Sequence, residues 1–177
     1  MSGGVPVSSM LRRVTIVTVM GALLVIAAGV AFSLLDRPIE QPIAFNHRLH
    51  VEDLGSDCTD CHLYALTGVR ATIPNLEVCA DCHAEAQTDS AEEAKLVSHV
   101  ESGDPIPWRK VYRVPDHVYF SHRRHTAIGG IECATCHGPM SEVSEPVTRP
   151  FARVTMNGCM ECHEQTGTSN DCLLCHK

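Results

Sequence analysis

Apolar and polar positions alternate only weakly along this chain, with one exception near the N-terminus. Residues 14–35, VTIVTVMGALLVIAAGVAFSLL, carry no charge and are mostly apolar. A run of twenty-two such residues predicts a helix long enough to cross a bilayer. Arg12 and Arg13 precede it, and basic residues favour the cytoplasmic side. Residues 1–13 are therefore expected in the cytoplasm, with everything after Asp36 across the membrane. A cleaved signal peptide competes with this reading, and GVAF offers a weak small-residue site at Ala31. The run exceeds a signal peptide's usual apolar core, which favours a retained anchor.

Beyond a short linker, 36–42, patterning is sparse. Ser90 with Glu93 has the form of a capping box. It predicts a short helix over 91–100, with Ala94, Leu96, Val97 and Val100 on its apolar side. DPIP then breaks the chain, and WRKVYRV reads as extended. Short helices are expected to carry the last motifs of the chain. Trp108 and Tyr112 are the anchors of the middle stretch, placed to cover a cofactor face or a neighbouring protein.

Composition changes this picture. The chain has 177 residues, 5% of them aromatic, which is thin for a packed core. Its net charge of -7 excludes nucleic-acid binding by a basic stripe. Against that stand 10 Cys and 11 His.

All ten cysteines fall into C-x-x-C pairs followed directly by His. These are Cys58-Cys61-His62, Cys79-Cys82-His83, Cys133-Cys136-His137, Cys159-Cys162-His163 and Cys172-Cys175-His176. C-x-x-C-H is the attachment signature of c-type haem. Two thioether bonds fix the porphyrin, and the next residue's imidazole reaches the iron from one side. Structural disulfides, zinc ribbons and thioredoxin-like pairs do not require a His after every second Cys. Five covalently bound haem c groups are expected, and their porphyrins would supply the missing apolar surface.

A repeat organises the remaining histidines. Phe45, His47, His50, Gly55, Cys58, Cys61 and His62 recur 75 residues later as Phe120, His122, His125, Gly130, Cys133, Cys136 and His137. The unit F-x-H-x-x-H-x7-C-x-x-C-H divides the soluble part into two fused modules. The expected bounds are a dihaem module at 43–89, a connecting segment at 90–116 and a trihaem module at 117–177. A second axial ligand decides what a haem does: another His makes an electron carrier, and an open position admits substrate. His47, His50, His122 and His125 are the candidate distal ligands. His117 or Met156 is the fifth, with His99 behind them.

The hexamer and its haem motif resemble the small cytochromes of the c3/c7 type. That likeness implies a mostly irregular, small-helical, class III-like fold. It also implies that the first His of each hexamer serves the nearby haem: His47 that of Cys58 and Cys61, and His122 that of Cys133 and Cys136. His50 and His125 would reach other haems. Longer stretches, among them QPIAFNHRLHVEDLGSDCTDCH, GDPIPWRKVYRVPDHVYFSHRRH, GIECATCHGPM, MNGCMECH and TSNDCLLCH, are similar to the pentahaem cytochrome subunit of alternative complex III. They also resemble the hexahaem subunit of quinone reductase complexes, and five motifs favour the former. The resemblance implies a cytochrome anchored in the inner membrane with its haems in the periplasm. Its partners would be an integral membrane quinol-binding subunit, an iron–sulfur subunit related to molybdopterin enzymes and a soluble or monohaem cytochrome c. The expected role is electron transfer between a menaquinol-linked complex and a soluble carrier. The alternatives are a multihaem reductase with an open haem and a stand-alone quinol dehydrogenase of the tetrahaem type. No nucleophile or acid–base constellation marks a catalytic site.

Overall fold

A computed structural model describes residues 7–35, 37–152 and 154–176. Residues 1–6 of the expected cytoplasmic segment, Asp36 at the start of the linker, Arg153 and Lys177 lie outside the described residues. The chain divides into two compact units, Met1–Pro38 and Ile39–Lys177.

The first unit contains one helix, α1, Val7–Leu35. Its apolar part, Met10–Ser33, has 24 residues. At about 1.5 Å per residue that is roughly 36 Å, enough to cross the hydrocarbon core of a bilayer. The hydroxyls of Thr15, Thr18 and Ser33 donate to the carbonyls of Leu11, Val14 and Gly29, one turn back. They are thus satisfied within the helix, as an apolar medium requires.

The second unit is helical, and among the described residues it has no strand. Only Val118 and His176 form an isolated bridge, so WRKVYRV is irregular and not part of a sheet. The helices are α2 (Cys58–Cys61), α3 (Leu76–His83), α4 (Ala91–Ser102), α5 (Cys133–His137), α6 (Met156–Gln165) and α7 (Cys172–Cys175). α3 packs on α4. The helix expected at 91–100 is α4, closed at its C-terminus by Gly103 with φ 73°. Its start departs from a capping box. Ser90 caps by accepting from the Glu92 amide, while the Glu93 carboxylate turns away to other partners.

The two hexamers fold alike. Each opens with a helical residue pair and tightens into a π-helical turn, Leu49–Asp53 in the first and Arg124–Ile128 in the second. The repeat of 75 therefore holds for backbone as well as sequence. It also sets how the two copies meet. The Arg48 amide donates to the Val143 carbonyl, and the Arg123 amide donates to the Gly68 carbonyl, both at 3.0 Å. These donors and acceptors are again 75 residues apart, so each hexamer is held by the loop following the other copy's first C-x-x-C-H.

Ile39 and Gln41 are tied into this unit. The Ile39 amide donates to Thr148, and the Gln41 side chain donates to the Arg109 and Val147 carbonyls. Apolar burial is slight: among the described residues, only the apolar side chains of Ile43 and Ala65 are buried. So small an apolar interior cannot offset the conformational entropy of a unit this long.

Gly138, directly after His137, has φ 69°, and a Cβ there would meet the Phe151 ring at 2.9 Å. Gly55 has a similar φ of 76° and open space around it. Gly55→Ala should cost about 1 kcal/mol for its backbone conformation. Gly138→Ala should cost more than that, because ψ -166° with this φ is essentially reserved for glycine, and roughly 1–3 kcal/mol of overpacking adds to it. Thermal midpoints of the two variants check this; equal losses would contradict it.

Candidate functional site

Each C-x-x-C-H motif occupies one helical turn. The three-residue spacing puts both thiols on one side of the turn. The closing i to i+4 bond then sets the histidine. The His62 amide donates to Cys58 O at 2.8 Å and the His176 amide to Cys172 O at 2.9 Å. Acidic caps begin two of these turns. Asp57 and Asp60 form a capping box on α2, and the Asp171 carboxylate accepts from the Leu173 amide on α7. All ten cysteines are free of disulfides.

The non-motif histidines are arranged by aromatic contacts. Phe45 lies edge-on to His47 (4.8 Å, 85°) and stacks on His50 (4.5 Å, 26°). Phe120 repeats this with His122 (4.9 Å, 88°) and His125 (4.7 Å, 24°). One phenyl ring thus meets one imidazole edge-on and the other face-on, so the two imidazoles are steeply inclined to each other and address different neighbours.

Those neighbours are motif histidines. His50 faces His83 with ring centres 6.3 Å apart, His122 faces His137 at 6.4 Å, and His125 faces His163 at 6.2 Å. His117 faces His176 at 5.5 Å. His47 lies near enough to His62 for their charges to interact. Met156 opens α6 with its side chain exposed, and His99 is half-buried on α4 with Nδ1 against the Asp104 carbonyl. Tyr112 sets its ring edge against His137 (4.6 Å, 73°), and its hydroxyl accepts from the Phe151 amide. Trp108 makes no comparable ring contact among those observed in the described residues.

The donor set fits haem. Two imidazoles bound on opposite sides of one metal need about 2 Å from each nitrogen to the metal and about 1 Å from nitrogen to ring centre, roughly 6 Å in all. Among the described residues, no three His, Cys, Asp or Glu side chains converge as a cage for a metal ion. Opposed pairs suit a metal whose remaining positions belong to a planar ligand.

Most of these rings have one nitrogen fixed by the chain. Nδ1 meets the carbonyl of Asn46 in His50, of Thr72 in His62, of Val69 in His122, of Ser121 in His125 and of Ser169 in His163. Donation from Nδ1 leaves the Nε2 lone pair free for a metal. Thr72 offers its carbonyl from φ 66°, the one positive φ among described non-glycine residues. A β-branched residue there is strained, and the strain sits on a motif histidine. In His83, Nδ1 donates to a carboxylate, Glu93 Oε1, at 2.7 Å. The Thr88 hydroxyl first, then the Gln87 amide, hold Glu93 at a pKa of about 2; burial opposes them, and the His83 ring and Thr88 amide add to them. Nothing in the sequence spacing signalled Glu93 as a site residue, because its position at the start of α4 reads as a cap.

His47 has a buried Nδ1 without a hydrogen-bond partner. Burial, then the His62 and His50 rings, lower its pKa to about 4. Burial, then His122 and His62, lower that of His137 as well. Both imidazoles are thereby held in the neutral form that ligates metals.

The thiols form a continuous file. Burial, then the neighbouring Asp60 and Cys82, raise the pKa of Cys61; burial and Cys61 raise that of Cys79. Cys58 is raised by burial and by Cys133, to which it is hydrogen-bonded. Burial, then Cys162, Cys159 and Cys133, raise Cys136; burial, then Cys175 and Cys162, raise Cys159. The motif turns therefore adjoin in the order α3, α2, α5, α6, α7, with the two hexamer-linked motifs second and third.

The chain is similar to known proteins in sequence. Residues 118–177 match the family described as cytochrome c7 and related cytochrome c. Residues 30–106 match the class III cytochrome c family. The chain is 32% identical over 162 residues to a protein of Nitratidesulfovibrio vulgaris described as menaquinone reductase, multiheme cytochrome c subunit. That similarity covers 78% of this chain and 77% of the relative.

Proposed function

The chain belongs to the multihaem cytochromes c of the c3/c7 type, related to the multihaem subunit of menaquinone reductase, and we propose that it is a membrane-anchored pentahaem electron conductor. Membership of these families implies covalently bound haem c and electron transfer. Each haem, when bound, supplies reversible one-electron chemistry. The number five rests on the five C-x-x-C-H turns.

The observation that carries the proposal is that four motif histidines each face a second histidine, with His47 near the fifth, His62. His47 would stand opposite His62, His50 opposite His83, His122 opposite His137, His125 opposite His163, and His117 opposite His176. Two strong-field imidazoles per iron make electron carriers and leave no coordination position for substrate. The pairing favours conduction over a reductase with an open haem. For the fifth distal ligand it favours His117 over the exposed Met156.

The order of the motif turns supports a path with two ends. One end is the Cys79–Cys82 turn and the other the Cys172–Cys175 turn. The expected modules, 43–89 and 117–177, would meet at Cys58 and Cys133. Such a path suits a subunit that links a quinone-reacting membrane complex to a soluble carrier. α1 would be its anchor, with the haem unit on the periplasmic side. The resemblance to the alternative complex III subunit and the five motifs favour that complex. An integral membrane quinol-binding subunit and an iron–sulfur, molybdopterin-related subunit would then be its neighbours.

Three outcomes are expected. Mass spectrometry of the intact protein should show five haem additions; fewer would remove a motif from the set. His117→Ala should convert one of five low-spin haems to high spin, and Met156→Ala should convert none; the reverse result would transfer the fifth ligand to Met156. The tagged full-length chain purified from native membranes should carry a quinol-binding membrane subunit with it. Recovery as a soluble protein with no membrane subunit would overturn the proposed role.

A further inference from the structure

Glu93 is the one buried polar side chain among the described residues, and all its contacts lie at one end of the file of motif turns. Oε1 accepts from His83 Nδ1 at 2.7 Å and from the Gln87 amide at 2.8 Å. Oε2 accepts from the Thr88 amide at 2.8 Å and from the Thr88 hydroxyl. The loop 87–88 and the first turn of α4 thus clamp the carboxylate on four donors and aim it at the imidazole of α3. Elsewhere among the described residues, the acceptors observed at Nδ1 of motif and hexamer histidines are main-chain carbonyls, and His122 Nδ1 also meets the Ala71 amide; none is a carboxylate.

This difference has a chemical consequence. A carboxylate is a stronger acceptor than an amide carbonyl, and hydrogen bonds involving an ionised partner are roughly twice as strong. The acceptor at Nδ1 passes electron density through the ring to the ligating nitrogen and raises its basicity. A more basic ligand stabilises ferric iron over ferrous, and hydrogen bonding behind the ligand is one of the protein's controls on haem potential.

We propose that Glu93 is a positioning residue that locks the His83 ring and holds the haem attached at Cys79 and Cys82 at a lower reduction potential than a carbonyl-bonded histidine would give. The inference rests on His83 being an iron ligand. It makes the α3 end of the conductor chemically distinct from its interior. The same carboxylate explains why the cap of α4 is left to Ser90 alone.

Thr88 provides a variant of opposite sign. Its hydroxyl shares the Glu93 charge, so Thr88→Val should leave more of that charge for His83. Glu93→Gln removes the charge and keeps an oxygen acceptor of similar size.

The test is a redox titration of the holoprotein, followed by optical and low-temperature EPR spectra, on wild type, Glu93→Gln and Thr88→Val. Loss of an outer ligand partner typically costs about 10–100-fold in metal affinity or activity, and the lower end of that range sets the scale expected for the ferric-to-ferrous affinity ratio. For one electron, tenfold corresponds to about 59 mV. In Glu93→Gln, one of the five components should move upward by about that amount, with a change in the EPR signature of one low-spin haem. In Thr88→Val, the same component should move downward. No movement, movement of the same sign in both variants, or a shift shared by all five would overturn the proposal. If Glu93→Gln fails to assemble, Thr88→Val decides alone: a downward shift of one component supports it, and any other result overturns it. Wild-type spectra separate the two readings. A high-spin iron at the Cys79–Cys82 haem in wild type would mean that the ligand assignment fails. Five low-spin irons without the variant shifts would mean that only the role of Glu93 fails.

Discussion

The second unit depends on opposing one imidazole to another across about 6 Å, at several places and between elements far apart in sequence. His50 meets His83, His125 meets His163 and His117 meets His176. The two buried apolar side chains among the described residues and helices of one to three turns cannot hold such a chain by themselves. Covalent attachment at each motif and ligation from a distant histidine would close the chain on itself at each haem. Closing long loops removes the most entropy from the unfolded chain. The porphyrins then serve as both interior and cross-link, and the polypeptide needs only to place its ligands.

Placement is achieved by small, repeated devices. One phenyl ring meets one imidazole edge-on and stacks on the other, and a π-helical turn follows. In most of these rings a carbonyl or carboxylate then meets Nδ1, and donation to it leaves Nε2 free. The hexamer appears twice, and the two copies hold each other through the reciprocal bonds Arg48 to Val143 and Arg123 to Gly68. This exchange brings Cys58 against Cys133. The close approach of the two copies is thus built from main-chain hydrogen bonds, which tolerate changes of side chain at the junction.

Much of the site was legible in the sequence because its geometry is local. C-x-x-C-H spans a single helical turn, so spacing alone puts two thiols and an imidazole on one side. The duplicated F-x-H-x-x-H is likewise a local turn, and the same ring geometry recurs at 75 residues. What the sequence left open was tertiary. Between His117 and Met156, only the folded chain separates a ring facing His176 from an exposed thioether. Glu93 was legible as a capping residue by position, yet its carboxylate finds stronger donors in His83 and Thr88. WRKVYRV reads as extended but finds no partner strand among the described residues, and Tyr112 uses its ring and hydroxyl against His137 and Phe151 instead. The order of the motif turns, with the first motif lying between the second and third, could not be read from chain order.

The most direct test of the account is to locate the irons in the assembled holoprotein, by anomalous scattering at the iron edge or by cryo-electron microscopy. The account predicts five irons, each between one motif histidine and its opposed partner, with the iron of His117 and His176 at one end and that of His50 and His83 at the other. An iron bound by Met156, an iron lacking a second imidazole, or a file in any other order would contradict it.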